Sequence, residues 1–204
     1  MTFCSKNTSF CSFLLILSIV IFIISVIIKM KKSLKIRYLS SLQDHTVHNT
    51  RKGSGNVYTA MNIASKIVQL YEEHGAHITN LKLQKVLYYA QMYSLQKNGC
   101  ALFDDDFQAW RHGPVIPGVY EAFRKYVSDS IETDDVTIVA NSTVLEPSDK
   151  SVVDYIVTKT LPLDAWDMVA RTHQTTPWKD SYIPNMNQVI TKEHIRQNGE
   201  VNLS

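Results

Sequence analysis

Between Thr59 and Gly75, apolar residues recur every three or four positions, at Ala60, Ile63, Ala64, Ile67, Leu70 and Tyr71. That period puts one apolar stripe on a helix. Thr59 offers a side-chain oxygen to a free first-turn amide, and Gly75 tolerates the left-handed conformation that ends a helix. A second helix is predicted from Thr79, with Ile78 before the cap and Leu83 placed to staple against it. Leu83, Val86, Leu87, Ala90 and Tyr93 form one stripe, while Tyr88, Met92 and Leu95 cover much of another side. Apolar residues on two faces predict a central helix, closed by Gly99.

The pattern then changes. Phe107 to Trp110 alternates with period two, as a short strand does. Arg111-His112-Gly113-Pro114-Val115-Ile116-Pro117 reads as a tight, stiff loop, and Pro117 suits the first turn of a third helix, on which Val119, Phe123 and Tyr126 are spaced for burial. Residues 128–147 are acidic and β-branched, and Val136 to Val139 are expected to pair with the first strand. Ser148 is expected to cap a fourth helix with Val152, Val153, Ile156 and Val157 inward, ended by Pro162. A fifth helix carries Trp166, Val169, Ala170 and His173. Pro177-Trp178 ends that region, and a short last helix lies near Lys192 to Gln197. No internal repeat is visible. The expected fold is mainly α, a compact bundle of about five to six helices with a small β element.

A chain of 204 residues suits one domain with an appendage. The appendage is N-terminal. Phe10 to Ile28 contains no charge, Gly or Pro, and as a helix it would span about 28 Å, close to a bilayer core of about 30 Å. A signal peptide has a shorter apolar region followed by a small-residue cleavage site, whereas here Lys29, Met30, Lys31 and Lys32 follow. An anchor is therefore expected, with the N-terminus outside and the domain in the cytoplasm, because Lys29, Lys31, Lys32, Lys35 and Arg37 outnumber Lys6 on the other flank. A second reading stands beside it: Met30 begins a plausible soluble protein, and the first 29 residues would then be an over-extended reading frame. Residues 30–56 are basic and polar and contain Gly53-Ser54-Gly55, a linker composition. The expected division is 1–29, 30–56 and 57–204.

Charge follows the same division. Residues 1–52 hold eight Lys/Arg and one acid, net +7, and residues 53–204 hold 13 Lys/Arg and 18 acids, net −5, which together give the overall +2. The globular part thus lacks the cations with which a nucleic-acid binder displaces counterions, and its acidic balance suits a basic protein partner. Three cysteines, Cys4, Cys11 and Cys100, build no disulfide framework and fit a reducing compartment.

Several stretches resemble one family. Thr79-Asn80-Leu81-Lys82-Leu83-Gln84-Lys85-Val86-Leu87-Tyr88-Tyr89 is similar to the signature helix of the Panacea-domain family, which includes SocA-like antitoxins and phage-associated GepA-like proteins. Three further blocks agree in order: Leu102-Phe103-Asp104 with Phe107, Ala109, Trp110 and Gly113-Pro114-Val115; Val119-Tyr120 with Phe123 to Tyr126; and Trp166-Asp167-Met168-Val169 with Thr172-His173 and Pro177-Trp178-Lys179. They cover nearly all of residues 57–197, while the N-terminal run falls outside them. The resemblance implies a non-enzymatic protein that neutralises a cognate protein toxin by direct contact, in one type also delivering it to an ATP-dependent protease.

Candidate chemistry is sparse. Cys100, His112 and one of Asp104 to Asp106 can be imagined as nucleophile, base and orienter, but no strained nucleophile elbow is present, and the three Asp read as a solvated turn. His112 and His173 lack metal-ligand spacing, and His173 reads as a structural histidine bonding a loop carbonyl. No Gly-rich phosphate loop occurs, so no cofactor or small-molecule substrate is expected. A small hydrolase or nuclease, or a DNA-binding autoregulator, remains the alternative to a toxin-binding domain. The candidate partner surface is the Trp110–Pro117 loop, with Trp110, His112, Gly113, Pro114 and Val115 on a platform stiffened by proline. A second candidate is the edge of the second helix at Lys82 and Lys85, read as wet. Trp178 is a further candidate, because large aromatics dominate binding hot spots.

Overall fold

The computed structural model describes residues 58–203, which fall in one compact unit, Lys52–Ser204. The run Phe10 to Ile28 and the linker lie outside the described residues. Among the described residues no helix is long and apolar enough to cross a membrane.

Helix α1 (Ala60–Glu73) begins at a capping box: Asn62 N donates to Thr59 Oγ1 and Thr59 N donates to Asn62 Oδ1. Beyond its end, Gly75 takes φ +67°, the left-handed turn that glycine adopts without a Cβ clash. Helix α2 (Asn80–Lys97) is capped by Thr79, and 14 of its 18 residues are buried. It is surrounded. Helices α1, α5 (Pro147–Thr160) and α6 (Ala165–Thr172) pack on it, as do α3 (Pro117–Phe123), α8 (Lys192–Asn198) and strand β2 (Gly113–Val115). The core follows from the two apolar faces of this helix: Leu83, Val86, Leu87, Tyr88, Tyr89, Ala90 and Met92 are all fully enclosed.

Strand β1 (Phe107–Trp110) pairs antiparallel with β2, Trp110 opposite Gly113, and with β3 (Val189–Ile190), Phe107 opposite Ile190. The sheet order is β2-β1-β3. The architecture is mainly helical, with eight α-helices among the described residues and one small sheet. The remaining helices, α4 (Val136–Ala140) and α7 (Thr176–Ser181), are short.

Two local expectations are overturned. Val136 to Val139 form helix α4, not a strand, and the partner of β1 is instead the nearby Gly113–Val115 with the distant Val189–Ile190. Asp135 decides the local outcome. Its carboxylate accepts from Thr137 N at 2.7 Å as an N-cap, and from Tyr126 Oη at 2.7 Å and Lys125 Nζ at 2.6 Å. Burial pushes this carboxyl up, but these bonds win and hold it down at about 2. Helix α5 starts at Pro147 with Glu146 as cap residue, two residues before the expected cap Ser148. Pro at N1 gives up only an amide that has no helical partner there.

Candidate functional site

The loop singled out in the sequence is the tip and second strand of the β1–β2 hairpin, seated on α2. Gly113 makes the seat possible. Its φ is +97°, and a Cβ there would lie 2.7 Å from Thr172 Oγ1 and 2.9 Å from Lys85 Cε. Beneath it the Lys85 side chain is fully buried and its Nζ donates to Pro114 O at 2.9 Å. Burial pushes this ammonium down to about 7, since removal from water disfavours the charged form. Gln84 Oε1 accepts from Ile116 N at 2.9 Å. Gln84 Nε2 donates to Asn80 Oδ1, and Asn80 Nδ2 donates to Tyr120 O. Further along, Gln91 Oε1 accepts from Leu102 N and its Nε2 donates to Phe103 O, both at 2.8 Å. The polar residues of α2 thus bind the backbone of the segments around it.

The other face of the hairpin leans on α6 and α7. Trp178 Nε1 donates to Trp110 O at 3.1 Å. Its indole stacks on His173 at 4.0 Å and on Tyr182 at 4.7 Å. The Nε2 of His173 is buried without a hydrogen-bond partner among the described residues. Burial, then the nearby Lys85 and His112, push its imidazole down, while the Arg111 backbone beside it favours the charged form. Trp110 meets Tyr120 edge-on at 5.0 Å, and His112 meets Trp166 at 5.4 Å with the rings perpendicular.

The structure therefore sorts the candidate residues. His112 is exposed and Trp110 half-buried, both at the tip. Gly113, Pro114, Val115 and Trp178 are buried, and Pro114 and Trp178 tie the hairpin down through Lys85 Nζ and Trp110 O. Lys82 and Lys85 are not on a wet edge. Lys85 is fully enclosed, and Lys82 lies over the Tyr71 ring at 4.8 Å with its ammonium 3.5 Å from Leu161 O. The physical reason is that α2 has no outer side for them to occupy. Trp166, 61 % exposed beside His112, was not singled out. Its spacing to Val169 mimics a buried stripe, but α6 buries Met168, Val169 and Thr172 and leaves the face of Trp166 and Ala170 exposed. Asp104 and Asp106 are exposed, as in a solvated turn, while Asp105 is half-buried. Asp105 Oδ2 accepts from Ala60 N at 2.7 Å, and Asp106 pairs with Lys192 at 2.7 Å. Among the described residues no group of three or more His, Cys, Asp or Glu could hold a metal ion.

These features define a small helical domain organised around one buried, polar-studded helix, with an exposed aromatic and basic hairpin tip. Residues 83–179 match the sequence model of the family described as antitoxin SocA-like, Panacea domain. The chain is 31 % identical over 109 residues to Antitoxin SocA of Caulobacter vibrioides (strain NA1000 / CB15N), an alignment covering 50 % of this chain and 58 % of that relative. No solved structure matches at a significant level.

Proposed function

We propose that this domain is an antitoxin that sequesters a toxin protein in a stoichiometric complex, through the surface formed by the hairpin tip and the start of α6. The observation that carries the reading is the contrast in mounting at this tip. Exposed His112 and half-buried Trp110 are presented by backbone pinned from below by Lys85, Gln84 and Trp178, with exposed Trp166 of α6 against the His112 ring. Rigid aromatic side chains at a fixed site lose little entropy on binding and form hot spots. The similarity to an antitoxin supplies the partner class. Against the hydrolase or nuclease alternative, Asp105 and Asp106 are engaged in holding α1 and Lys192.

The test is to co-express the full chain with the product of each neighbouring gene, scoring growth rescue and co-purification. A toxic product that is rescued and recovered in fixed proportion supports the reading. His112→Ala combined with Trp166→Ala should keep the thermal midpoint and lose both rescue and capture. Full rescue by that variant moves the interface elsewhere. Delivery to an ATP-dependent protease is separable in the same assay: it lowers the amount of toxin, whereas sequestration leaves it unchanged.

A further inference from the structure

Beside the hairpin tip lies a groove of about 370 Å³, at the lower end of the volumes that ligand sites occupy, with room for one or two side chains. Its walls are Leu81, Trp110, Val115, Tyr120 and Val127. The polar groups of its floor already have partners. Ile116 N, Gln84, Asn80 and Tyr120 O form one chain of hydrogen bonds, and Trp110 Nε1 donates to Gln108 Oε1 at 2.8 Å. A guest therefore meets polar chemistry mainly at the rim, from Arg111, His112 and Arg124. Arg111 has no ion pair among the described residues, and Arg124 meets Glu121 at 3.2 Å in a pair exposed at both ends. Such an exposed pair is weak and exchanges readily. No carboxylate lines the groove. Val127 closes it with φ +51° and 81 % exposure, an outlying conformation for a β-branched residue. Backbone outliers of this kind cluster at functional sites.

The sign of the groove is opposite to that of the domain around it, which carries net −5 over residues 53–204. Net charge alone pointed to a basic partner; the local arrangement reverses that. A polyphosphate strand needs a run of cations to displace its counterions, which Arg111 and Arg124 alone do not supply. From apolar walls, an engaged floor and a rim of guanidinium donors we infer that the groove docks an acidic peptide segment of a protein partner, seating an apolar side chain between the walls and carboxylates on Arg111 and Arg124. Guanidinium and carboxylate match as bidentate hydrogen-bonding pairs. The inference deepens the toxin-binding reading and rests on it for the identity of the partner.

The experiment uses the full chain and three labelled probes in fluorescence anisotropy: a twelve-residue peptide with Asp and Glu around a central Trp, the same peptide with Lys in place of each acid, and a twelve-nucleotide oligothymidine. The acidic peptide should bind best. Arg111→Glu with Arg124→Glu should weaken it by at least about tenfold while keeping the thermal midpoint, and Arg→Lys at both positions should weaken it less. Equal binding of both peptides, preference for the oligonucleotide, or an unaffected double variant overturns the inference. Co-expression separates the two readings. If a toxin is captured and the Glu double variant still captures it, the groove inference falls and the toxin reading stands. If the acidic peptide binds and no neighbouring product is captured, the groove stands and the toxin reading falls.

Discussion

Helix α2 and the hairpin tip sit against each other and use polar residues in opposite ways. On α2, Asn80, Gln84, Lys85 and Gln91 are buried, and each binds the backbone or an amide of a neighbouring segment. At the tip, Arg111 and His112 face solvent with Trp166 beside them. The helix carries the most distinctive block of the family resemblance, so the residues that identify the domain are those that build its scaffold. The residues available to a partner lie one layer further out. A signature helix of this kind marks the fold and leaves the choice of partner to the surface it supports. The comparison breaks if α2 tolerates substitution or if the tip contributes substantially to stability.

The largest effect is expected at the centre of α2. Leu87 is fully buried, and Leu87→Ala should cost about 2–5 kcal/mol through lost transfer energy and a residual cavity. An unchanged urea midpoint would show that α2 is not the organising helix. Lys85 should come next, as a pH effect. Its folded-state pKa of about 7 lies below the usual value of about 10.5 for lysine. Below pH 7 the ammonium is charged in both states and the full burial penalty applies. As pH rises from 7 toward 9.5 the folded state has shed a proton that the unfolded chain retains, so stability rises, by up to about 3 kcal/mol. Above about pH 10 the buried tyrosines reverse the trend, since Tyr71 is pushed up to about 12 by burial and Tyr88 and Tyr89 are pushed up too. Lys85→Met should flatten the rise between pH 7 and 9.5 in denaturant titrations. A wild-type profile already flat across that interval would mean that Lys85 is solvated.

Gln84 sharpens the comparison at intermediate size. Gln84→Ala leaves the Ile116 amide without its acceptor in a buried setting, which costs about 1–3 kcal/mol. Hydrogen exchange should quicken at Ile116 and at the β1–β2 hairpin while α1 and α5 stay protected. Uniform loss of protection would make Gln84 a general core residue with no particular hold on the hairpin.

Much of this scaffold is legible in the sequence. The Thr59 and Thr79 caps, the left-handed Gly75 and Gly99, strand Phe107–Trp110 and the Pro117 helix start are local chemistry, and each stands where its pattern predicts. What the pattern misses is decided at long range. Val189–Ile190 is too short to show a period and becomes a strand only because Phe107 and Gln108 are there to pair with it. Val136 to Val139 has strand propensity, but the Asp135 cap and the burial of Ile138 make it helical. Lys82 and Lys85 look like a solvated edge because charge is normally solvated. The two apolar faces of the same helix already implied that it has no outer side. At the site, the stiffness of the Trp110–Pro117 segment was legible from Gly113, Pro114 and Pro117, but its strand Gly113–Val115 reads as loop in the sequence because Gly and Pro carry no strand pattern. The rim of Arg111 and Arg124 and the strained Val127 were not legible, because they meet only when the segment after α3 folds back on the start of α2.

The smallest expected effect on stability tests the other side of the comparison. Trp166 is 61 % exposed, and its ring contact is the exposed imidazole of His112. Truncating a surface side chain away from caps, cavities and buried polar networks changes stability by about 0.5 kcal/mol or less. Trp166 is not the cap of α6. Asp164 is, with Asp167 N donating to its Oδ1 at 2.7 Å. Trp166→Ala should therefore leave the thermal midpoint within about 2 °C for a domain of this size, while removing the largest exposed aromatic surface next to the tip. A drop of many degrees would mean that the His112–Trp166 contact braces the hairpin, and that the tip belongs to the scaffold. An unchanged midpoint with lost toxin capture would place Trp166 on the partner-facing layer, separated in energy from the helix beneath it.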